Sequence, residues 1–273
     1  MITGGASGIG LAAAKAMRAR GLRVVIADLG VDRLAKARAE IGGSDEEILA
    51  IETDVSRPEA LAALEDTVHA RFGGTDVLMN NAGIARPTSA ASAAGWLDTL
   101  AVNLWGVVHG THAFLPRMRA RKRPGLVINT GSKQGITTPP GNPAYNVSKA
   151  ALKVFTEALA HELRNAEDVL DGGRPRIGVH LLIPGFVFTP LASGGRSDKP
   201  AGAWTAEQTV DFMLERLEAG DFYILCPDGE TSRALDERRI LWAAGDLVEN
   251  RPPLSRWHPD FAEAFKAFAT GPR

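Results

Sequence analysis

"TGGASGIG", residues 3–10, follows a two-residue apolar start and leads into an alanine-rich stretch at 11–20. A backbone that must turn tightly and approach an anion with no Cβ in the way needs glycine. If Met1 to Thr3 end a β-strand, this turn delivers the chain into a helix whose unpaired N–H groups and positive dipole end face outward, which suits a pyrophosphate. Alone, the turn is a weak signal. A P-loop is disfavoured, because no Gly-Lys-Ser/Thr follows to hold phosphate and magnesium. Asp28 supplies context: it closes the next apolar run, "RVVIAD" (23–28), eighteen residues beyond Gly10. A carboxylate there can accept hydrogen bonds from an adenosine ribose, although it could instead only cap the next turn. A 2′-phosphate would set its charge against Asp28, which favours NAD over NADP. Arg33 is the nearest downstream base that could offset it.

Working outward, apolar runs recur at 47–54, 76–83, 125–132, 177–185 and 221–227. Between them lie stretches with helical spacing, at 31–41, 57–72, 92–120 and 144–166. Strand alternating with helix implies parallel strands joined by right-handed crossovers. Near-continuous apolar strands are expected where helices cover both faces of the sheet. The expected fold is a doubly wound α/β sheet in a single domain spanning 1–273, with core sheet and helices over 1–228 and a C-terminal helical extension over 229–273. Within that extension, 233–249 is amphipathic, 250–260 an irregular connector and 261–269 a short helix. "ASGGRSDKPAGA" (192–203) is a polar, flexible insert.

The 31 basic and 32 acidic residues nearly cancel, so the global field offers little attraction for nucleic acid or an anionic membrane. A small-molecule partner is the better expectation. The lone cysteine, Cys226, cannot close an intrachain disulfide, and no Cys/His set has metal-ligand spacing. No apolar run reaches the ~18 residues of a membrane span, and a cytoplasmic location is expected.

With "NNAG" (80–83), "VNLWG" (102–106), "INTGS" (128–132), "YNVSK" (145–149) and "PGFVFTP" (184–190) following the glycine turn in this order, the chain resembles the short-chain dehydrogenase/reductase family over residues 3–190. The resemblance implies a Rossmann-type sheet of about seven strands, a nicotinamide dinucleotide, oxidoreduction of an alcohol or ketone, and a homodimer or homotetramer. Matched position by position, Tyr145 is the acid/base, Lys149 its partner, Ser132 the substrate-orienting hydroxyl and Asn103 the relay residue. Gly4, Ser7, Gly8, Ile9 and Gly10 match the pyrophosphate turn, Asp28 and Leu29 the ribose end, and Asp54 and Val55 the adenine flank. Asn81, Ala82 and Gly83 line the cofactor, while Pro184, Gly185, Val187 and Thr189 hold the nicotinamide end. Two departures stand out. Only Met1 and Ile2 precede Thr3, so the first strand is stunted or continues upstream; and the helical C-terminus puts the usual tetramer arrangement in doubt.

A free tyrosine, with a pKa of about 10, is a poor base near neutrality. Four residues apart on a helix, Tyr145 and Lys149 share a face, so the ammonium is expected to lower the phenol's pKa. Pro143 suits a first helical turn, which would set Tyr145 near the helix start. Ser132 would bond the substrate oxygen, and Asn103, costly to bury without partners, would bind a water passing protons through Lys149. Gln134 is expected to share a face with Ser132, and the resemblance puts the loops of Arg86, Phe186, Leu191 and Trp204 near the substrate; Trp242 or Trp257 would close over it if the C-terminal helices fold back. A mostly apolar pocket would suit a secondary alcohol on a cyclic or aromatic body. Two alternatives stay open: a non-catalytic dinucleotide-binding sensor or scaffold, and an epimerase or dehydratase using transient oxidation.

Overall fold

Seven strands alternate with helices in a computed structural model that describes residues 1–271 except 167, 168, 171, 172 and 230. Residues 230, 272 and 273 of the expected extension thus lie outside the described residues. The strands are β1 (Ile2–Thr3), β2 (Val24–Asp28), β3 (Ile48–Glu52), β4 (Val77–Asn80), β5 (Gly125–Thr130), β6 (Ile177–Ile183) and β7 (Tyr223–Leu225). They form one parallel sheet in the order β3-β2-β1-β4-β5-β6-β7. Strand order reverses between β1 and β4, the place where open α/β sheets bind ligands beyond the strands' carboxyl ends. β1 is indeed short, with Ile2 opposite Ile26 on one side and Met79 on the other.

The helices are α1 (Gly8–Ala19), α2 (Val31–Ile41), α3 (Pro58–Phe72), α4 (Trp96–Leu100), α5 (Gly106–Ala120), α6 (Gln134–Thr137), α7 (Pro143–Asn165), α8 (Ala206–Glu218), α9 (Arg233–Val248) and α10 (Ala262–Thr270). On one sheet face Ala13 and Met17 of α1 and Val210 and Met213 of α8 pack over Ile26, Met79, Ile128 and Leu182. On the other, Leu61 and Leu64 of α3, Phe114 of α5 and Leu159 of α7 pack over Val25, Leu78, Val127 and Val179. Alternate strand residues thus serve opposite cores, which is why the strands read as unbroken apolar runs.

The elements differ from expectation in two places. The stretch 92–120 is broken: α4 gives way to a π-helical turn, Ala101–Trp105, before α5 begins. α8, between the 192–203 insert and β7, carries a full capping box, in which Thr205 and Gln208 bond each other's backbone N–H. Beyond β7, Ile240 of α9 joins Leu181, Ile183, Leu225 and Ile136 of α6 in a small apolar cluster. Trp242 is buried against Phe265 and Phe268 of α10, and its Nε1 donates to Ser255 Oγ at 2.7 Å. Among the described residues no helix is long and apolar enough to cross a membrane, and no group of His, Cys, Asp and Glu could hold a metal ion.

Candidate active site

The carboxyl ends of β1, β2, β4, β5 and β6 open onto one cleft of about 420 Å³. Gly4, Ser7, Gly8, Ile9, Asp28, Leu29, Asp54 and Val55 line it, with Asn81, Ala82 and Gly83 at its middle. Ser132, Tyr145 and Lys149 line it too, as do Pro184, Gly185, Val187, Thr189 and Leu191. Gly10 stands behind the turn as a spacer, because a Cβ there would collide with the Gly4 carbonyl.

Backbone and side chains fix the glycine turn together. Gly4 and Gly8 adopt φ of +64° and +51°, values that L side chains resist. Thr3 Oγ1 accepts from the N–H groups of Asn81 and Ala82 at 2.9 and 3.1 Å, and Asn81 Nδ2 donates back to Thr3 O at 3.1 Å. No side chain caps α1, so its first N–H groups face the cleft with the positive end of the helix dipole. Asp28 Oδ2 accepts from Ala6 N at 3.0 Å and Oδ1 from Leu29 N at 2.7 Å, while Arg33 Nη2 lies 3.7 Å from Oδ1. The residues present therefore fit a dinucleotide: an uncapped helix for the pyrophosphate and a fixed carboxylate for the ribose.

Tyr145 occupies the first turn of α7, where Pro143 begins the helix and Asn142 Oδ1 caps the Tyr145 N–H at 3.4 Å. Thr88 Oγ1 holds that cap at 2.6 Å, and Asn142 Nδ2 donates to Arg86 O at 2.9 Å. Lys149 is buried, with Nζ donating to Thr130 O at 2.7 Å and lying 5.8 Å from the Tyr145 ring centroid. Burial raises the Tyr145 phenol above its ordinary pKa, against a lowering hydrogen bond with Ser132. The expected lowering by Lys149 is thus reversed in direction, because removing the phenolate from water outweighs the help its neighbours give. Burial also pushes the Lys149 ammonium down to about 8.

That lysine costs the fold stability. Between pH 8 and 10.5 the unfolded chain holds the Lys149 proton that the folded chain has released, so stability rises with pH across that window. Below it, the difference corresponds to about 3 kcal/mol, set against about 1 kcal/mol from the Thr130 hydrogen bond. Lys149→Met is expected to melt higher than wild type at pH 7, with the advantage shrinking as pH rises from 8 toward 10.5. Melting curves of both proteins at neutral and alkaline pH check this.

Asn103 sits in the π-helical turn, a distortion that sequence periodicity did not foretell. Its Oδ1 accepts from Ile84 N at 2.8 Å, and its Nδ2 donates to Ile84 O and Ser148 Oγ at 2.9 and 3.2 Å. These bonds join the strand end after β4 to α7 and leave Oδ1 one further lone pair. Ser132 Oγ accepts from Gln134 N at 3.1 Å.

Of Arg86, Gln134, Phe186, Leu191 and Trp204, only Leu191 lines the cleft; Gln134 is exposed beside Ser132, and Phe186 faces solvent. Trp204 is drawn away instead: its backbone pairs with Phe186 and Phe188, and its half-buried ring packs edge-on against Phe212 at the margin of the core. Arg86 pairs with Asp98 at 3.1 Å. Trp242 belongs to the C-terminal cluster and Trp257 stacks under Arg256, so neither closes over the cleft. Ile84, Val102 and Pro190 line the cleft with no signal in the sequence beyond their apolarity. Gly135 was also missed: a Cβ there would lie 2.5 Å from the Lys149 carbonyl carbon, so only glycine lets α6 rest on α7 at the lysine.

A family model described as short chain dehydrogenase matches residues 1–200. The 1-deoxy-11-beta-hydroxypentalenate dehydrogenase of Streptomyces exfoliatus is 30% identical over 264 residues, covering 94% of this chain and 93% of its own. The 3beta-hydroxysteroid dehydrogenase 1 of Eggerthella lenta is 34% identical over 211 residues, covering 75% of this chain and 76% of its own. Among solved structures, a short chain dehydrogenase/reductase from Burkholderia phymatum in complex with NAD matches with a TM-score of 0.80 at 28% identity, covering 92% of this chain and 94% of its own.

Proposed function

The chain belongs to the short-chain dehydrogenase/reductase family of oxidoreductases, and from that premise we propose that it interconverts a secondary alcohol and a ketone using NAD, with Tyr145 as acid and base. The observation that carries this reading is the joint presence of Ser132, Tyr145 and Lys149 in the wall of the cleft that also holds the uncapped start of α1 and Asp28. When bound, the nicotinamide accepts or returns the hydride.

Every other step belongs to the chain's own side chains. Ser132 bonds the substrate oxygen and Tyr145 donates its proton to that oxygen in reduction, the protonated phenol being the form that burial favours. In oxidation the deprotonated Tyr145 oxygen takes the alcohol's proton, and the buried Lys149 charge stabilises that phenolate, which must form first. Asn103, by holding Ile84 and Ser148, keeps the loop after β4 against the tyrosine's helix. The two relatives are named for hydroxyl groups on 1-deoxy-11-beta-hydroxypentalenate and on a 3beta-hydroxysteroid, which supports a secondary alcohol on a cyclic body. Exposed Trp105, Val147 and Val154, on the neighbouring π-turn and α7, supply apolar surface that a second copy would bury in a homodimer or homotetramer.

The test follows reduced-cofactor absorbance across a panel of cyclic secondary alcohols and ketones. Turnover with NAD at least about tenfold better than with NADP is expected, because a 2′-phosphate meets the Asp28 carboxylate. Asp28→Asn should narrow that preference to within about threefold. Tighter binding of NADP than NAD by wild type would overturn the cofactor assignment. Absence of turnover with every alcohol and ketone would overturn the reaction.

A further inference from the structure

Lys133 follows Ser132 in sequence, yet its side chain takes no part in lining the cleft. Its Nζ lies 3.1 Å from Asp228 Oδ2 and 2.6 Å from Asp236 Oδ2, and the three side chains are only 14%, 13% and 5% exposed. Asp228 comes from the turn after β7, and Asp236 from the first turn of α9. The same lysine's backbone N–H donates to Pro184 O at 3.1 Å. Asp228 Oδ2 in turn accepts from Phe186 N at 3.4 Å. Gly185 makes room for the pair: a Cβ there would overlap Asp228 Oδ2 and lie 3.0 Å from Lys133 Nζ. Beside this group, Ile136 of α6 packs in one cluster with Ile240 of α9.

A largely buried ammonium shared by two carboxylates is poor value as stability, since desolvating the charges offsets most of their attraction. Buried charges of this kind can instead fix the relative geometry of the segments that bear them. Four segments meet on it: the turn bearing Ser132, the turn Pro184–Phe186, the turn after β7 that bears Asp228, and the start of α9.

We propose that Lys133 is a positioning residue, which through Asp228 and Asp236 locks the Ser132 turn, the Pro184–Phe186 turn and α9 into one frame. α9 thereby becomes a brace for the active site although none of its residues lines the cleft. The proposal rests on the oxidoreductase reading for its effect on rate. Its effect on dinucleotide affinity stands apart, because Pro184 and Gly185 line the cleft whatever the substrate. The lock acts on the turn that bears Ser132, at the reacting end, and should appear in kcat more than in KM.

The experiment compares wild type with Lys133→Met, Lys133→Arg and Asp236→Asn, well below the melting transition of each, measuring NADH affinity by fluorescence titration together with kcat and KM. Lys133→Met is expected to raise the NADH Kd and lower kcat each by roughly tenfold, with the alcohol KM within about twofold. Lys133→Arg, still cationic, should recover most of both. If Lys133→Met does not fold, Asp236→Asn, which keeps the shape and removes one charge, is expected to shift both quantities the same way by roughly threefold. A lower melting temperature with Kd and kcat both within about twofold of wild type would overturn the proposal and leave the ion pair a purely structural contact. Should wild type turn over no alcohol, the oxidoreductase reading fails on its own. The titration then decides the proposal: a raised NADH Kd in Lys133→Met supports it and an unchanged one overturns it.

Discussion

Tyr145→Phe is expected to lower kcat by about 10³-fold while leaving NADH affinity within about twofold. Phenylalanine keeps the ring, and with it the packing at the start of α7, and removes only the hydroxyl that exchanges a proton with the substrate oxygen. Ser132 and Lys149 remain, so residual activity from orientation and charge should persist at a low level. Single-turnover measurement of hydride transfer, alongside cofactor titration, separates the two effects. Equal rates in variant and wild type would remove Tyr145 from the chemistry. Because burial holds the wild-type phenol protonated, reduction should fall off only when pH rises high enough to strip that proton. In the variant that alkaline limb should disappear.

Gly10→Ala is expected to abolish measurable dinucleotide binding, raising the NADH Kd by about 100-fold or more, and to lower the melting temperature. The added Cβ would collide with the Gly4 carbonyl and lie 2.7 Å from Asn81 Nδ2. Gly4 O is backbone and Asn81 Nδ2 is tied to Thr3, so neither can step aside without reshaping the turn. Intrinsic helix propensity works the other way: alanine in α1 should by itself stabilise by about 1 kcal/mol relative to glycine. A higher melting temperature with intact NADH binding would therefore mean that the turn relaxes freely. A lower one isolates the collision. Titration of NADH and a melting curve on the same preparation decide between them.

The parts legible in the sequence were those with local causes. β-branched runs alternating with helical spacing were enough to expect the parallel sheet, and the order of the glycine turn, Ser132, Tyr145 and Lys149 brought the same residues to one cleft. The residues that sequence did not reveal act at long range. Lys133 meets Asp228 and Asp236 across about a hundred residues of chain, and nothing in their separate neighbourhoods marks them as partners. Gly135 looks like any loop glycine until α7 is laid against it. The loop position of Trp204 suggests a substrate contact, whereas its backbone pairing with Phe186 and Phe188 sets the ring against the core beside Phe212. The direction of the Tyr145 shift was misread for a related reason: the i, i+4 spacing shows that Lys149 is near but not how little water reaches either group.

The buried ammonium at position 149 also bears on how this enzyme could be altered in the laboratory. A library sorted only for survival of heat at neutral pH would enrich neutral replacements there, and its most heat-resistant members would be expected to be inert. Thermal robustness and turnover pull on the same codon in opposite directions. Only a selection that scores product at every round would keep the lysine, and gains in robustness would then have to come from positions remote from the cleft.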